Sequence, residues 1–318
     1  MVAGLLNLPR TFFRLFRAAG AASVVHAGVA DWPIPTGWSA TLAAKLRGRL
    51  LLINIESAFW RITPGAAASL IQRTRARIWE CINRWCVRRA DLQLFTQQKY
   101  AEEFLTDATT GHVFNASWID DENVLSDEAA IASWKEKDRE PLAFLYAGRL
   151  TEAKGVPVLL EAVRILDRDG IHVRVDLIGE GPLFSAVGEL SGLVRVLPPV
   201  PYGPEFFSLL RTYAALVVPS ITDEQPRIVY DAFSQAVPVL GTNAPGVAAC
   251  VKDGETGWLT APGDPAGLAS SIRRAIDHRT ELRRMGIAGL AVARGYTQRE
   301  MHRRRWTLLE RALRHQAP

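Results

Sequence analysis

The stretch from Val217 to Leu240, VVPSITDEQPRIVYDAFSQAVPVL, limits the possible folds of this chain more than any other. It reads as a strand end, an acidic turn, a helix and a second strand. Val217 and Val218 close an apolar run that begins near Ala214, and Thr222, Asp223 and Glu224 form the turn. Gln225 is expected at the N-cap and Pro226 at the first helical position, where proline's fixed φ suits a helix and its missing N–H costs nothing. Ile228, Val229, Ala232 and Phe233 then make an apolar face that can pack on a sheet. Asp231 falls about one turn into the helix on the other side, and Asp223 lies just ahead of it. The two carboxylates, eight positions apart, thus face one crevice at a helix start, where backbone N–H groups favour an anion. Carboxylates hold sugar hydroxyls and a helix end holds phosphate, which suits a nucleotide-sugar site. As solvated helix-start residues the same aspartates would carry no function.

A second cluster lies about 70 residues upstream. Leu142–Tyr146 reads as a buried strand, followed by Ala147-Gly148-Arg149-Leu150-Thr151-Glu152-Ala153-Lys154-Gly155 and a helix with Leu159, Leu160, Val163 and Leu166 on one face. Gly148 lets backbone approach a ligand closely, and Arg149 and Lys154 put two cations at a strand's C-terminal end. Arg149 offers a planar fork and Lys154 a mobile point charge, a pair able to grip a diphosphate. Val173–Gly181 is a third strand ending in Gly179-Glu180-Gly181. The full dinucleotide fingerprint is absent there, because Gly188 comes too late to complete it. Thr242–Gly246 and Asp253–Leu259 carry turn chemistry with or without a ligand.

These stretches resemble the acidic-x7-acidic signature and the strand-end Arg and Lys of retaining glycosyltransferases of family 4. The family has the GT-B fold, two Rossmann-like domains with parallel sheets facing across a cleft. The resemblance implies that Asp223 contacts the donor sugar, that Asp231 binds the nucleotide ribose, and that Arg149 and Lys154 neutralise the departing diphosphate. It also places Gly148, Gly179, Glu180, Gln225, Pro226, Arg227 and Ile228 on the donor side. Both acidic positions are usually Glu; Asp shortens the reach by about 1.5 Å, one C–C bond, and Glu224 next door competes for the first role. The implied activity moves a sugar from a nucleoside diphosphate sugar to a hydroxyl of a saccharide or lipid-linked acceptor, in polysaccharide or glycolipid synthesis. No metal or other cofactor is implied.

At 318 residues and 48% apolar content, the chain can fill two ordinary α/β domains with parallel sheets. Cys81, Cys86 and Cys250 form no ligand cluster, and the first two are expected to be buried or half-buried on a helix in a reducing cytosol. The six histidines show no metal-ligand spacing, and no apolar run is long enough to cross a membrane. Charge is unevenly spread. Residues 1–100 carry 14 Lys/Arg against 4 Asp/Glu, residues 101–272 carry 12 against 25, and residues 273–318 carry 12 against 4. The Arg-rich helices Gln72–Arg89 and Arg299–Arg314 read as solvated faces, and no nucleic-acid module accompanies them, so nucleic acid is set aside as a partner. Leu5–Ala18 pairs Arg10, Arg14 and Arg17 with Leu6, Phe12, Phe13 and Phe16, which suits either peripheral contact with an anionic membrane or packing on a sheet. The expected place is the cytoplasm, at the inner membrane face if that contact forms.

Toward the N-terminus, Ser23–Ala27, Leu50–Ile55, Leu92–Phe95 and His112–Phe114 read as strands, with helices at Gly37–Leu46 and Ile71–Arg89. Ala90–Thr96 and Val113–Asp120 are similar to late segments of the family's acceptor domain. The family's opening strand and Gly-rich loop have no counterpart, so that domain is expected to be incomplete. Its active-site histidine has no clear match, and His26 and Glu56 are the acceptor-side candidates. The expected division is an acceptor-side domain over 1–140, a donor domain over 141–296 after a charged linker at Lys135–Pro141, and a helix over 297–314 packing back on the first. A different class of protein, a non-catalytic nucleotide-sugar binder or scaffold or an inactive fragment, would keep the donor signatures and lack a complete acceptor side.

Overall fold

The computed structural model of the protein describes residues 8–29, 36–58, 60–62, 67–105, 111–114, 116–188, 192–223 and 225–316. Its contacts gather into two compact units, Met1–Asn115 with His302–Pro318, and Ala116–Met301.

The first unit begins with α1 (Leu8–Gly20), β1 (Val24–Gly28), α2 (Thr36–Leu46), β2 (Leu50–Ile55), α3 (Leu70–Arg89), β3 (Leu92–Phe95), α4 (Gln98–Phe104) and β4 (His112–Val113). Its strands pair in parallel in the order β1-β2-β3-β4, and every residue of β2 is buried. Pro9 sits in the first turn of α1, where its missing N–H breaks no helical bond, so it starts that helix. Residues 5–7 of the expected amphipathic stretch lie outside the described residues. A capping box holds the start of α3: Gln72 N donates to Ser69 Oγ, and the Gln72 side chain accepts from Ser69 N at 2.8 Å. Cys86 is buried on α3, whereas Cys81 is exposed, contrary to expectation, because it lies on the side of the helix away from the sheet.

In the second unit α5 (Asp127–Lys137) leads into β5 (Ala143–Ala147), α6 (Val156–Arg168), β6 (Arg174–Ile178), α7 (Phe184–Gly188) and β7 (Val194–Leu197). There follow α8 (Pro204–Leu210), β8 (Ala215–Val218), α9 (Ile228–Ser234), β9 (Val239–Thr242), α10 (Pro245–Ala248), β10 (Gly257–Thr260), α11 (Pro265–Asp277) and α12 (Arg279–Arg294). The last helix, α13 (Gln298–Gln316), passes into the first unit at His302. There Leu308, Leu309 and Leu313 pack on Leu50, Leu52, Leu92 and Leu94 of the first sheet.

All six strands of the second sheet are parallel, in the order β10-β9-β8-β5-β6-β7. Their near-continuous apolar runs are what a sheet covered on both faces requires. The chain moves outward from β5 to β7, then returns to β5's other side as β8. The crossovers that follow β5 and β8 therefore run to opposite sides of the sheet, and a crevice opens at the strands' C-terminal ends.

Two local expectations give way. Lys135–Pro141 is no free linker, because it includes the end of α5, where Lys137 is only 1% exposed. Its Nζ donates to Ser133 Oγ at 2.9 Å and to the Gln235 and Ala236 carbonyls at 2.9 and 3.2 Å, satisfying acceptors just past the end of α9. Burial, with help from the Arg211 charge, pushes its pKa down to about 7. Residues 116–140 accordingly belong with the second unit. Neither is Gln225 the N-cap: α9 begins at Ile228 with Arg227 in the cap position, because Gln225 and Pro226 stay in the loop.

Candidate functional site

At the crevice two loops far apart in sequence are tied together. The Tyr146 hydroxyl, at the end of β5, donates to the Arg149 carbonyl at 2.6 Å and bends the loop back. Gly155 caps α6 at φ 71° against the Pro219 carbonyl, where a Cβ would come within 1.8 Å of the oxygen; only glycine fits this approach. Ile221 N and Thr222 N both donate to the Ala153 carbonyl, at 2.9 and 3.2 Å. These contacts bring Lys154 Nζ to 2.6 Å from Asp223 Oδ2, and Ser220 Oγ donates to the same oxygen at 2.9 Å. The Asp223 side chain is 6% exposed, so its charge is held by hydrogen bonds and an ion pair rather than by water. The Tyr146 phenol has its pKa raised, by burial first and by the Asp223 charge second.

A cavity of about 420 Å³ opens beside this pair. Asp231 lines it from α9 and is nearly buried, and its carboxylate accepts a 2.9 Å hydrogen bond from the Tyr202 hydroxyl. Burial pushes the Asp231 carboxyl up to about 7, and the Tyr202 bond and the Arg227 charge hold that rise back. Tyr202 is fixed by its neighbours, stacking on Phe206 at 6.0 Å and meeting the edge of Phe207 at 5.5 Å. The Arg227 guanidinium lies 4.0 Å over the ring of Trp118. Gln225 Oε1 accepts from Ala116 N at 3.2 Å, while its buried Nε2 has no protein partner. One wall thus offers a carboxylate, another a cation on an aromatic shelf, and the strand ends a lysine–aspartate pair. Such a cavity can hold hydroxyls at one end and an anion at the other.

The structure gathers most of the residues expected at the site. Gly148, Lys154, Asp223, Gln225, Pro226, Arg227, Ile228 and Asp231 all line this cavity. Arg149 is exposed and outside the lining. Gly179 and Glu180 are also outside it. Gly179 packs where a Cβ would come within 1.8 Å of the Gly148 carbonyl, and the Glu180 carbonyl accepts from Leu150 N at 2.8 Å. Both therefore shape the loop after β5 through backbone, and their side chains do not enter the cavity. Glu224 lies outside the described residues. His26 and Glu56 belong to the other unit. Among the described residues no group of three or more His, Cys, Asp and Glu is placed to hold a metal ion.

The lining also includes Trp118, Tyr146, Tyr202 and Ser220. Ser220 and Tyr146 were findable, since Tyr146 lies at the end of β5 and Ser220 just past β8, each beside a signature loop. Trp118 lies in the Val113–Asp120 stretch and Tyr202 just before the Gly203-Pro204 turn, but only the folded chain brings their side chains to the cavity.

The family described as Glycosyl transferases group 1 matches residues 141–278, within the second unit. WcaL of Salmonella typhimurium, described as a candidate colanic acid biosynthesis glycosyltransferase, is 28% identical over 183 residues, 54% of this chain and 45% of WcaL. The D-inositol 3-phosphate glycosyltransferase of Streptomyces scabiei is 31% identical over 175 residues, 50% of this chain and 39% of that enzyme. The match thus spans less than half the length of these relatives. Among solved structures, Anabaena HepE in complex with UDP superposes with a TM-score of 0.73 at 16% identity, covering 94% of this chain and 81% of HepE. HepE was also solved with UDP-glucose. The structural likeness bears out the expected GT-B-like α/β fold with parallel sheets.

Proposed function

Because residues 141–278 carry the group 1 glycosyltransferase pattern, we propose that the protein is a retaining glycosyltransferase that takes a sugar from a nucleoside diphosphate sugar. One observation carries the reading: at the strand-order switch, Lys154, Asp223, Arg227 and Asp231 line a single cavity. In this reading Asp231 holds ribose hydroxyls, Lys154 and Arg227 meet the diphosphate, and Arg149 swings in from the rim. Asp223, held against Lys154, turns to the donor sugar. Positive charge from these side chains balances the leaving group, so no metal is part of the proposal. The acceptor hydroxyl attacks on the face the nucleotide leaves and passes its proton to the departing phosphate.

UDP is the first donor nucleotide to try, because HepE, with the same fold, binds it. The likeness to WcaL favours a saccharide or lipid-linked acceptor in polysaccharide synthesis. Peripheral contact with an anionic membrane belongs to the same reading, supported by the amphipathic α1; no helix among the described residues is long and apolar enough to cross a bilayer.

Calorimetric titration of the chain with UDP, GDP and their sugars tests this. Saturable binding of one nucleotide, shared with its sugar conjugates, is the expected result. Failure to bind either nucleotide would sink the reading, and binding without turnover over an acceptor panel would leave a nucleotide-sugar binder in place of an enzyme.

A further inference from the structure

The long helix α3 is apolar on two opposite faces, and among the described residues only one of them packs into a core. Trp79, Cys86 and Val87 are buried in the core of the first unit. At about 100° per residue, Leu70, Thr74, Ile78 and Cys81 fall on the side away from that core, with Ile71 beside Ile78, while Trp85 packs against the core. Leu70 and Ile71 are each 80% exposed and Ile78 is 54% exposed. From Leu70 to Ile78 the helix buries no residue at all. A solvated helix start would not carry Leu70, Ile71 and Ile78 within about two turns.

The charge around the stripe has one sign. Arg73 and Arg77 flank it on one shoulder and Arg75 on the other, and Arg88 and Arg89 continue it past Trp85. The one acid on the helix, Glu80, is engaged by Arg61 and Arg84. We propose that this face of α3 docks on an anionic lipid surface. Leu70, Ile71 and Ile78 enter the headgroup boundary, and Arg73 and Arg77 meet lipid phosphates.

Other occupants fit less well. A two-fold pairing of copies would set arginine shoulder against arginine shoulder. A stripe one helix wide also falls far short of the roughly 800 Å² per partner that a stable dimer buries. A lipid surface supplies both an apolar layer and a field of negative charge. The same unit carries a second element of this kind, α1, with Phe13 64% exposed beside the exposed Arg14 and Arg17. Stable peripheral attachment takes two such signals. The main membrane contact then lies on α3, whose sequence reads as a solvated face, and not on α1. It is independent of the nucleotide-sugar reading.

Co-sedimentation of the full chain with phosphatidylcholine vesicles, with and without phosphatidylglycerol, tests it. The chain should bind only the anionic vesicles and release as salt rises. Leu70→Ser with Ile71→Ser and Ile78→Ser should weaken binding by about tenfold or more. Each of Arg73→Gln and Arg77→Gln should cost roughly fivefold. Phe13→Ser on α1 should cost less than the triple substitution. A second measurement needs no substitution: an environment-sensitive dye on the exposed Cys81 should shift to the blue on anionic vesicles, while Cys86 and Cys250 are buried and spared. No vesicle binding by the wild type overturns the inference. So does a triple variant that still binds while Phe13→Ser does not, or a stripe that proves to hold two copies together in solution.

Discussion

The two sheets differ in strand order, and the cavity that gathers the expected donor-side residues lies where the order reverses. In the first unit β1-β2-β3-β4 follows the chain, so every crossover steps the same way. In the second the order turns back at β5, and the crossovers from β5 and β8 part. The chemistry follows that parting. The cavity with Lys154, Asp223, Arg227 and Asp231 lies there, and all of its lining comes from the second unit. His26, in contrast, pairs with Leu52 in the middle of its strand, and Glu56 only follows β2. Equal α/β wrapping does not gather equal chemistry; here the clustered side chains lie where the strand order reverses.

The largest effect should test whether residues 116–140 belong to the reversed sheet. Lys137→Met removes the donor that holds the Gln235 and Ala236 carbonyls beyond α9, at a cost of roughly 2–4 kcal/mol. Hydrogen exchange should quicken in α5 and α9 and stay unchanged in β2 and β3. The pH dependence has a definite sign. The folded pKa of about 7 lies below the unfolded 10.5, so between these values the folded state has released a proton the unfolded state keeps. Stability of the wild type should rise with pH across that window, and Lys137→Met should abolish the rise. Faster exchange in β2 would return α5 to the first unit.

Next in size is the diphosphate end. Lys154→Met should weaken UDP binding by about 10- to 150-fold, the range of a lost charge-assisted contact. Arg149→Ala, at an exposed position outside the cavity, should cost no more than about tenfold. Were Arg149 the more costly of the two, the phosphates would lie at the rim and not in the crevice.

Much of this was legible in the sequence, for particular reasons. β2 and β3 match their apolar runs, because a buried parallel strand is apolar on both faces. Lys154 and Asp223 were legible because each closes a strand-to-helix loop, where side-chain chemistry is exposed to view. Their direct ion pair was not, since 69 positions separate them and the Ala153 carbonyl that joins the loops leaves no mark in composition. Tyr202 was hidden for a similar reason: its role depends on α8 setting Phe206 and Phe207 around it. Lys137 misled because a charged run reads as solvent-facing, yet this lysine serves the carbonyls at another helix's end.

A smaller effect concerns the ribose end and sharpens the comparison through pH. Asp231 has a folded pKa of about 7 against 3.8 unfolded, so its stability contribution is present at low pH and lost as pH rises through about 7. Binding runs the other way, because the ionised carboxylate accepts ribose hydroxyls more strongly. A UDP-sugar, whose phosphates stay ionised throughout, should lose affinity by up to about tenfold per pH unit below 7. Asp231→Asn should flatten the profile. Tyr202→Phe should move its midpoint upward, since the Tyr202 bond lowers the Asp231 pKa. A wild-type profile flat from pH 6 to 8, about one unit either side of that midpoint, would remove Asp231 from the ribose.

The smallest effect is expected where the strand order never reverses. Glu56 is exposed and accepts a 2.8 Å hydrogen bond from Asn54 Nδ2. His26 has its pKa lowered, by burial first and by the Arg305 charge second, which leaves its imidazole neutral near pH 7. A neutral imidazole can orient or deprotonate a hydroxyl, which is acceptor chemistry, and it brings no charge to a diphosphate. Glu56→Gln and His26→Ala should therefore leave UDP affinity within about twofold, a change of roughly 0.4 kcal/mol. Any loss they cause should fall on transfer to acceptor, read as turnover at saturating donor. Calorimetry and a transfer assay on the same two variants separate these outcomes. A tenfold fall in UDP affinity from either substitution would mean that the ordered sheet also supplies donor contacts, and strand reversal would no longer account for where the nucleotide binds.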